Sequence, residues 1–425
     1  MAPDPMINWA GNIEFSASQL HRPQTVGELQ ELVAASPRLH ALGSAHSFSA
    51  VADSPGALVS LASLPEVIEV DADRGVVTVG AGVRYGDLAR RLHAAGFALP
   101  AMASLPHISV GGGCATGTHG SGDTSGNLAT AVCELTMVTA DGDLAVLRRS
   151  ADPERFPGAV VGLGGLGVVT ELTLDVIATF DVSQHVYLDL PASALTASFD
   201  EIFGSAHSVS VFTDWQGSSH QQLWLKRRTD QPDRWTPAPR WLGARLADRP
   251  VHPIPGMPAS NCAPQLGVAG PWFERLPHFR LDFTPSSGDE LQTEYLVPRR
   301  HAAAALDLIA SLRDQLAPVL QVSEIRTVAP DDLWLSPSYQ RPTVALHFTW
   351  IKDPGAVAPV IAAIEERLAP LDARPHWGKV FGTPAATIAG LYERSADFRS
   401  LLRHYDPGGK FRNDFIDRYF PDHVR

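Results

Sequence analysis

Arg38-Leu39-His40-Ala41-Leu42-Gly43-Ser44-Ala45-His46-Ser47-Phe48-Ser49 joins a short apolar run to a turn of small residues with a histidine at its far lip. Small side chains at Gly43, Ser44 and Ala45 let backbone amides approach a ligand, and such a cluster of amides suits a phosphate. His46 then presents an imidazole beside that turn. The same pattern also describes an ordinary hydrogen-bonded loop, so its meaning depends on the rest of the chain.

The chain before and after the turn alternates between short apolar runs and helical spacing. Thr25-Val26-Gly27-Glu28 is a capping box, and Leu29, Leu32 and Val33 predict a helix running to about Ser36. Residues 57–61, 66–70 and 75–79 read as strands, and Tyr85, Leu88 and Leu92 mark a second helix. This alternation predicts an α+β domain with a mixed sheet. Next come nineteen residues from Ser104 to Gly122, built mostly of Gly, Ser, Thr and His. A structureless connection of that length is uncommon in a compact domain, so a loop lining a ligand is expected. His107 and His119 lie in it, but no carboxylate or thiol stands at ligand spacing, so no metal site is expected.

Residues 134–146 read as a hairpin turning at Ala140-Asp141-Gly142-Asp143. Gly162-Leu163-Gly164-Gly165-Leu166-Gly167 formally matches the dinucleotide-binding pattern G-x-G-x-x-G. That pattern must open a helix, whereas Val168-Val169-Thr170-Glu171-Leu172-Thr173-Leu174 alternates as a strand, so a nicotinamide site is rejected. A boundary is placed near residues 175–181. Beyond it, strands are expected at 208–213, 221–226, 279–283 and 292–297, with helices at 298–316 and 356–368.

Bulk composition narrows the function. At 425 residues two domains are expected, and 44% hydrophobic with 19% charged residues describes a globular chain. A formal charge of −12 argues against a nucleic-acid partner, and the basic runs Lys226-Arg227-Arg228 and Arg299-Arg300 read as solvated faces. Cys114, Cys133 and Cys262 suggest neither a disulfide frame nor zinc, which fits a reducing compartment. Residues 1–7 lack the basic start and apolar core of a signal peptide, and no apolar stretch is long enough to span a bilayer. A cytoplasmic protein with no membrane partner is therefore expected.

A polar cluster emerges late in the chain. Glu324 and Arg326 lie two apart in the strand predicted over 321–328, hence on one face. In the strand predicted over 343–350, Val344, Leu346, Phe348 and Trp350 form an apolar face opposite Thr343, Ala345, His347 and Thr349. If the two strands pair, Glu324, Arg326, His347 and Thr349 line one surface, where a buried salt bridge with a satisfied histidine is the alternative account. Pro375-His376-Trp377-Gly378-Lys379 adds a lysine past a rigid aromatic turn, in a chain whose other lysines are Lys226, Lys352 and Lys410.

With these loops and strands in this order, the chain resembles the vanillyl-alcohol-oxidase-type flavoproteins, and within them the members that oxidise alditols. The likeness runs from Asn8-Trp9-Ala10-Gly11-Asn12 to Asp406-Pro407-Gly408-Gly409-Lys410-Phe411. It implies an α+β, two-domain flavoprotein with a PCMH-type FAD-binding domain and a cap built on a mixed sheet flanked by helices. Residues 1–178 would bind FAD, 179–376 would form the substrate cap, and 377–425 would return to the FAD domain. It implies FAD held covalently through His46, with contacts from Ala41, Leu42, Gly43, Ser44, Ala45, Ser47, Ser104, Ser109, Gly112, Thr116, Gly117, Thr118, His119 and Val168. Where Ala45 stands, these proteins usually carry Gly before the linking histidine.

The resemblance further implies a polyol pocket of Ser104, Glu324, Arg326, Thr349, His347 and Lys379. Hydride loss from carbon needs a base beside the hydroxyl, which assigns His347, with Lys379 lowering the hydroxyl pKa or holding nascent charge. Glu324 would accept and Arg326 donate hydrogen bonds to the other hydroxyls, a set that suits a neutral polyol. The expected reaction takes a terminal primary alcohol of an alditol to the aldose, with dioxygen reduced to hydrogen peroxide, in a monomer. Rival expectations are an aldonolactone oxidase or dehydrogenase, and a non-enzymatic sugar-binding protein on the same scaffold.

Overall fold

The Thr25 hydroxyl accepts from the Glu28 amide at 3.1 Å, and the Glu28 carboxylate reaches back to the Gln24 amide at 2.8 Å, so the helix Val26–Ala35 starts where the capping box places it. The structure, a computed structural model, describes residues 6–231, 236–283 and 289–422. Leu39–Ala41, which feeds the His46 turn, pairs in parallel with Ala57–Val59, and that strand pairs in parallel with Gln19–His21. A separate antiparallel sheet runs Ile68–Asp71, Val76–Gly80, Val168–Asp175, Val132–Val138, Leu144–Arg148. With the short antiparallel pair Phe97–Ala98 and Ile177–Ala178, the amino-terminal region holds three sheets among the described residues where one mixed sheet was expected. The 134–146 hairpin is present, and Val168–Asp175 is a strand, so the glycines before it serve no dinucleotide helix.

Those glycines are needed for close packing. Gly164 has φ +76° and lies against the His40 ring, where a Cβ would meet Nε2 at 2.4 Å. His40 is itself held by a 2.8 Å hydrogen bond to the Phe411 carbonyl, far along the chain.

The second region is one antiparallel sheet ordered Arg240–Trp241, Ala244–Leu246, Asp181–Pro191, Ser219–Arg228, Ser208–Thr213, Leu320–Val328, Thr343–Ile351, Glu290–Pro298, Arg374–Pro375. The α+β expectation stands, but the pairing is antiparallel throughout, not mixed. The reason lies in the connections. Asp181–Pro191 and Ser208–Thr213 run the same way across a helical crossover, yet Ser219–Arg228 inserts between them; Thr343–Ile351 inserts likewise between Glu290–Pro298 and Leu320–Val328. Two such split units meet where Ser208–Thr213 pairs with Leu320–Val328.

Helices cover one face of this sheet. Leu195, Ile202, Leu306, Ile309, Val357 and Ile364 pack on Val211, Leu225, Ile325, Leu346 and Phe348 in one core. A second core joins Leu29, Leu88, Leu135 and Leu172 to Trp377, Ile388, Phe398, Ile416 and Phe420, so the carboxyl-terminal segment completes the amino-terminal interior. Its loops are also tied there: Asn413 donates to the carbonyls of Val51 and Asp53 at 3.0 and 2.7 Å.

Several sequence-based expectations give way. Ser104–Gly122 is not a bare loop, because residues Val110–Ala115 wind into a short helix. Residues 279–283 form no strand; Phe279 makes a single bridge to Cys262 and the chain then turns. Lys226 and Arg227 are buried rather than solvated. No helix among the described residues is long and apolar enough to cross a membrane.

Ala45 has φ +55°, the left-handed region that disfavours a Cβ, and its carbonyl accepts from the Trp9 amide at 2.9 Å. Ala45→Gly should therefore stabilise the protein by about 1 kcal/mol, read as a raised denaturant midpoint. A lowered midpoint would mean that the methyl's packing outweighs the backbone strain.

Candidate active site

Backbone, not side chain, makes one wall. At Gly43 a Cβ would sit 2.6 Å from Ser109 Oγ and 3.6 Å from the Gly112 Cα, so the His46 turn and the start of the Val110–Ala115 helix meet at backbone distance. Ser109 Oγ is buried there with no hydrogen-bond partner, while the Ser109 amide donates to Ser44 Oγ at 3.3 Å. These loops, with Gly162 to Gly164, Leu166 and Gly167, border a cavity of about 650 Å³, within the size range of ligand sites. Small residues, close backbones and an unsatisfied hydroxyl fit an elongated, polar cofactor such as FAD. His46 stands at the rim, its ring stacked on Trp9 at 5.3 Å, and its Nδ1–H donates to the Ser44 carbonyl at 2.9 Å. Burial lowers its pKa to about 4, so the imidazole is neutral and carries a lone pair.

The opposite wall is the uncovered face of the antiparallel sheet. Register places Glu324 beside His347 and His347 beside Glu294, so three ionisable groups form one row across three strands. The Arg326 Nη2 donates to Glu294 Oε1 at 2.5 Å and its Nη1 to Ser104 Oγ at 3.3 Å. His347 turns Nδ1 toward Glu294 Oε2 at 3.6 Å, and its Nε2 lies 3.3 Å from Thr349 Oγ1. Lys379 donates to Gln292 Oε1, with its ammonium 5.2 Å from the Phe48 ring centroid. His119 arrives from the glycine-rich segment, Nε2 3.3 Å from Glu294 Oε1.

Charge is distributed unevenly in this row. Burial works to raise the Glu294 carboxyl, but Arg326 and His119 overcome it and hold the group well below the usual carboxylate range. Glu324 is likewise held low by Arg326 and His278 against the effect of burial. Burial lowers the His347 pKa although Glu294 opposes it, leaving an uncharged imidazole at neutral pH. Burial also brings Lys379 down to about 8. The wall therefore offers fixed acceptors, one guanidinium, a neutral base and an amine that titrates close to neutrality.

His119, Glu294 and His376 lie close enough together to suggest cation ligands. Their hydrogen bonds argue otherwise. The Gly378 amide donates to His376 Nδ1 at 3.0 Å, which leaves the proton on Nε2, and Arg326 already occupies Glu294. Cys114 is a buried thiol pushed up to about 12 by burial, 3.3 Å from the Tyr85 hydroxyl, and is unsuited to nucleophilic work.

Ala41 to Ser47, Ser109, Gly112, Thr116, Thr118 and His119 border the cavity on one side; Ser104, Glu324, Arg326, His347, Thr349 and Lys379 border it on the other. Two expected cofactor residues do not. Val168 is fully buried and paired with Val138, and the period of two turns Val169 to the cavity instead. Gly117 has φ +66° and packs toward Pro337 and Val161. Glu294, Gln292 and His278 were not singled out from sequence. A signal existed for the first two: Glu290, Gln292 and Glu294 alternate with Leu291, Thr293 and Tyr295. His278 lies outside any helix or strand, and no periodic pattern marked it.

Residues 17–148 match the family described as an FAD binding domain, and residues 289–419 match the D-arabinono-1,4-lactone oxidase family. Over 414 residues the chain is 54% identical to an alditol oxidase from Streptomyces, covering 97% of this chain and 98% of that one. It is 28% identical to an L-gulono-1,4-lactone dehydrogenase from Mycobacterium tuberculosis over 97% of its own length and 98% of the other's. The structure superposes on cholesterol oxidase from B. sterolicum with a TM-score of 0.76 at 16% identity, covering 98% of this chain and 96% of that one, which shows a shared fold. Sharing more than half of its residues with the Streptomyces enzyme from end to end, the chain belongs to the alditol oxidases, within the vanillyl-alcohol-oxidase-type flavoproteins.

Proposed function

We propose that the protein oxidises the terminal primary alcohol of alditols of the xylitol and sorbitol type to the aldose, with FAD linked covalently through His46 and dioxygen reduced to hydrogen peroxide. Residues 1–178 with 377–425 would hold FAD, and 179–376 would supply the substrate cap. The observation that carries this reading is the facing of two walls: a backbone-lined cradle ending in His46, and a sheet face bearing Glu324, Arg326, His347, Glu294 and Lys379 across one cavity. Three unpaired cysteines agree with a reducing, cytoplasmic setting.

Bound FAD would supply the two-electron acceptor for the substrate's hydride and the route of those electrons to dioxygen. The protein's own groups do the rest. His347, with Nδ1–H turned to Glu294, keeps its Nε2 lone pair for the hydroxyl proton of the reacting carbon. Lys379 as an ammonium stabilises negative charge growing on that oxygen. Glu324 accepts from, and Arg326 and Gln292 donate to, the remaining hydroxyls. A chain of neutral hydroxyls suits this wall, because carboxylates already stand on it and an acidic substrate would be repelled.

The match of residues 289–419 to a lactone oxidase family favours a second reading, oxidation of aldonolactones. A peroxide-coupled screen of glycerol, xylitol, sorbitol and gulonolactone separates them: turnover confined to the lactone would overturn the alditol assignment. A colourless protein, unable to take up FAD, would instead favour a sugar-binding scaffold.

For the linkage, colour should survive acid precipitation of the native protein and should pass to the supernatant in His46→Ala. Retention of the colour in that variant would exclude His46 as the tether.

The pH dependence of kcat/KM should be bell-shaped. Activity rises with pH as His347 deprotonates, below the ordinary histidine value, and falls as Lys379 loses its proton near 8. Lys379→Arg should remove the falling limb, since a guanidinium stays charged there. An unmoved limb in that variant would assign it to another group.

A further inference from the structure

Beside and behind Glu324 lies a second pair of polar groups for which the mechanism above has no use: His278, which borders the cavity, and Lys226, which does not. Lys226, on the strand Ser219–Arg228, is only 1% exposed. Its ammonium donates to the carbonyls of Leu276 and Pro277 at 2.5 and 3.0 Å and meets His278 Nδ1 at 3.1 Å. His278 Nε2 in turn lies 2.7 Å from Glu324 Oε1. The imidazole is also fixed through its backbone, whose amide donates to the Ser104 carbonyl at 3.1 Å and whose carbonyl accepts from Ala263 at 2.9 Å.

The donor inventory leaves one arrangement. Burial lowers the Lys226 pKa to about 7, with the Glu324 carboxylate favouring its charged form; as an ammonium it carries three protons and no lone pair, so His278 Nδ1 accepts. The single proton of a neutral imidazole then sits on Nε2 and points at Glu324 Oε1. The opposite tautomer would set a lone pair against a carboxylate. The imidazole is neutral here, because burial lowers its pKa to about 4. With Oε1 engaged, Glu324 Oε2 is the oxygen left for a ligand in the cavity, 3.6 Å from Arg326 Nε.

We propose that Lys226, without reaching the cavity, acts as a positioning residue that fixes the tautomer of His278 and thereby presents Glu324 as a hydrogen-bond acceptor to the alditol. This rests on the reading of Glu324 as a ligand for substrate hydroxyls. It predicts an effect on substrate affinity more than on the chemical step, since the reacting hydroxyl belongs to His347 and Lys379.

Steady-state kinetics of the flavin-loaded enzyme test it with the wild type's best alditol. Lys226→Met keeps the length of the side chain and removes its donors. KM should rise about ten-fold, the effect of weakening one hydrogen bond to a charged group, while kcat changes less than about three-fold. The flavin absorbance spectrum should stay that of the wild type. In a His278→Gln background, whatever its own KM, the amide can donate to Glu324 without help, so adding Lys226→Met should change KM by less than about two-fold. An equal rise in both backgrounds would make Lys226 a packing residue and overturn the proposal, as would an unchanged KM in the single variant. If Lys226→Met does not fold, His278→Leu supplies the check: it must raise KM at least as much, and an unaltered KM refutes the tautomer lock. A wild type inactive on every alditol would remove the functional reading and this inference with it. A wild type that turns over beside a Lys226→Met enzyme of the same KM removes this inference only.

Discussion

One buried carboxylate organises the centre of this protein. Glu294 is 2% exposed, yet remains ionised because Arg326 and His119 face one of its oxygens and His347 the other. Removing a partner from such a cluster leaves an uncompensated buried charge, a loss of about 3–5 kcal/mol in comparable cases. The cluster joins both halves of the molecule, since His119 comes from the glycine-rich segment and the other three from the antiparallel sheet. Holding the two walls of the cavity in register is therefore part of keeping that charge satisfied.

The sheet is suited to this because its faces differ so sharply. Phe348 and Leu346 enter a core under helices, while His347 and Thr349, one residue away, look into the cavity. Two split β-α-β units build the sheet, and their meeting point between Ser208–Thr213 and Leu320–Val328 brings Lys226 near Glu324, with His278 between the two at the cavity. The polar groups thus stand in layers: a row on the cavity that includes His278, and Lys226 buried behind it.

The other wall trades side-chain volume for backbone approach. Gly43 admits Ser109 and Gly164 admits His40 at distances no Cβ tolerates. Ala45 departs from that pattern and adopts a left-handed backbone at an energetic cost, immediately before His46. The carboxyl-terminal segment closes this region by placing Trp377 in the amino-terminal core and its neighbour Lys379 at the cavity.

The local facts were legible in the sequence: the capped helix at Thr25, the small-residue turn before His46, the strand character of residues 168–174, and the two-faced pattern of residues 343–350. Each follows from spacing or side-chain size over a few positions. Because the partners were distant, their consequences were not. Glu294 reads as one more strand residue until register sets it beside His347, and only the pairing of Val168 with Val138 shows that it is the Val169 side chain that borders the cavity. Lys226 reads as a solvated charge in a basic run, whereas the insertion of its strand between two others buries it against His278. Periodicity along the chain determined which residues share a face; what lies across from that face, and therefore which charges are paired, was decided only when the strands were brought together.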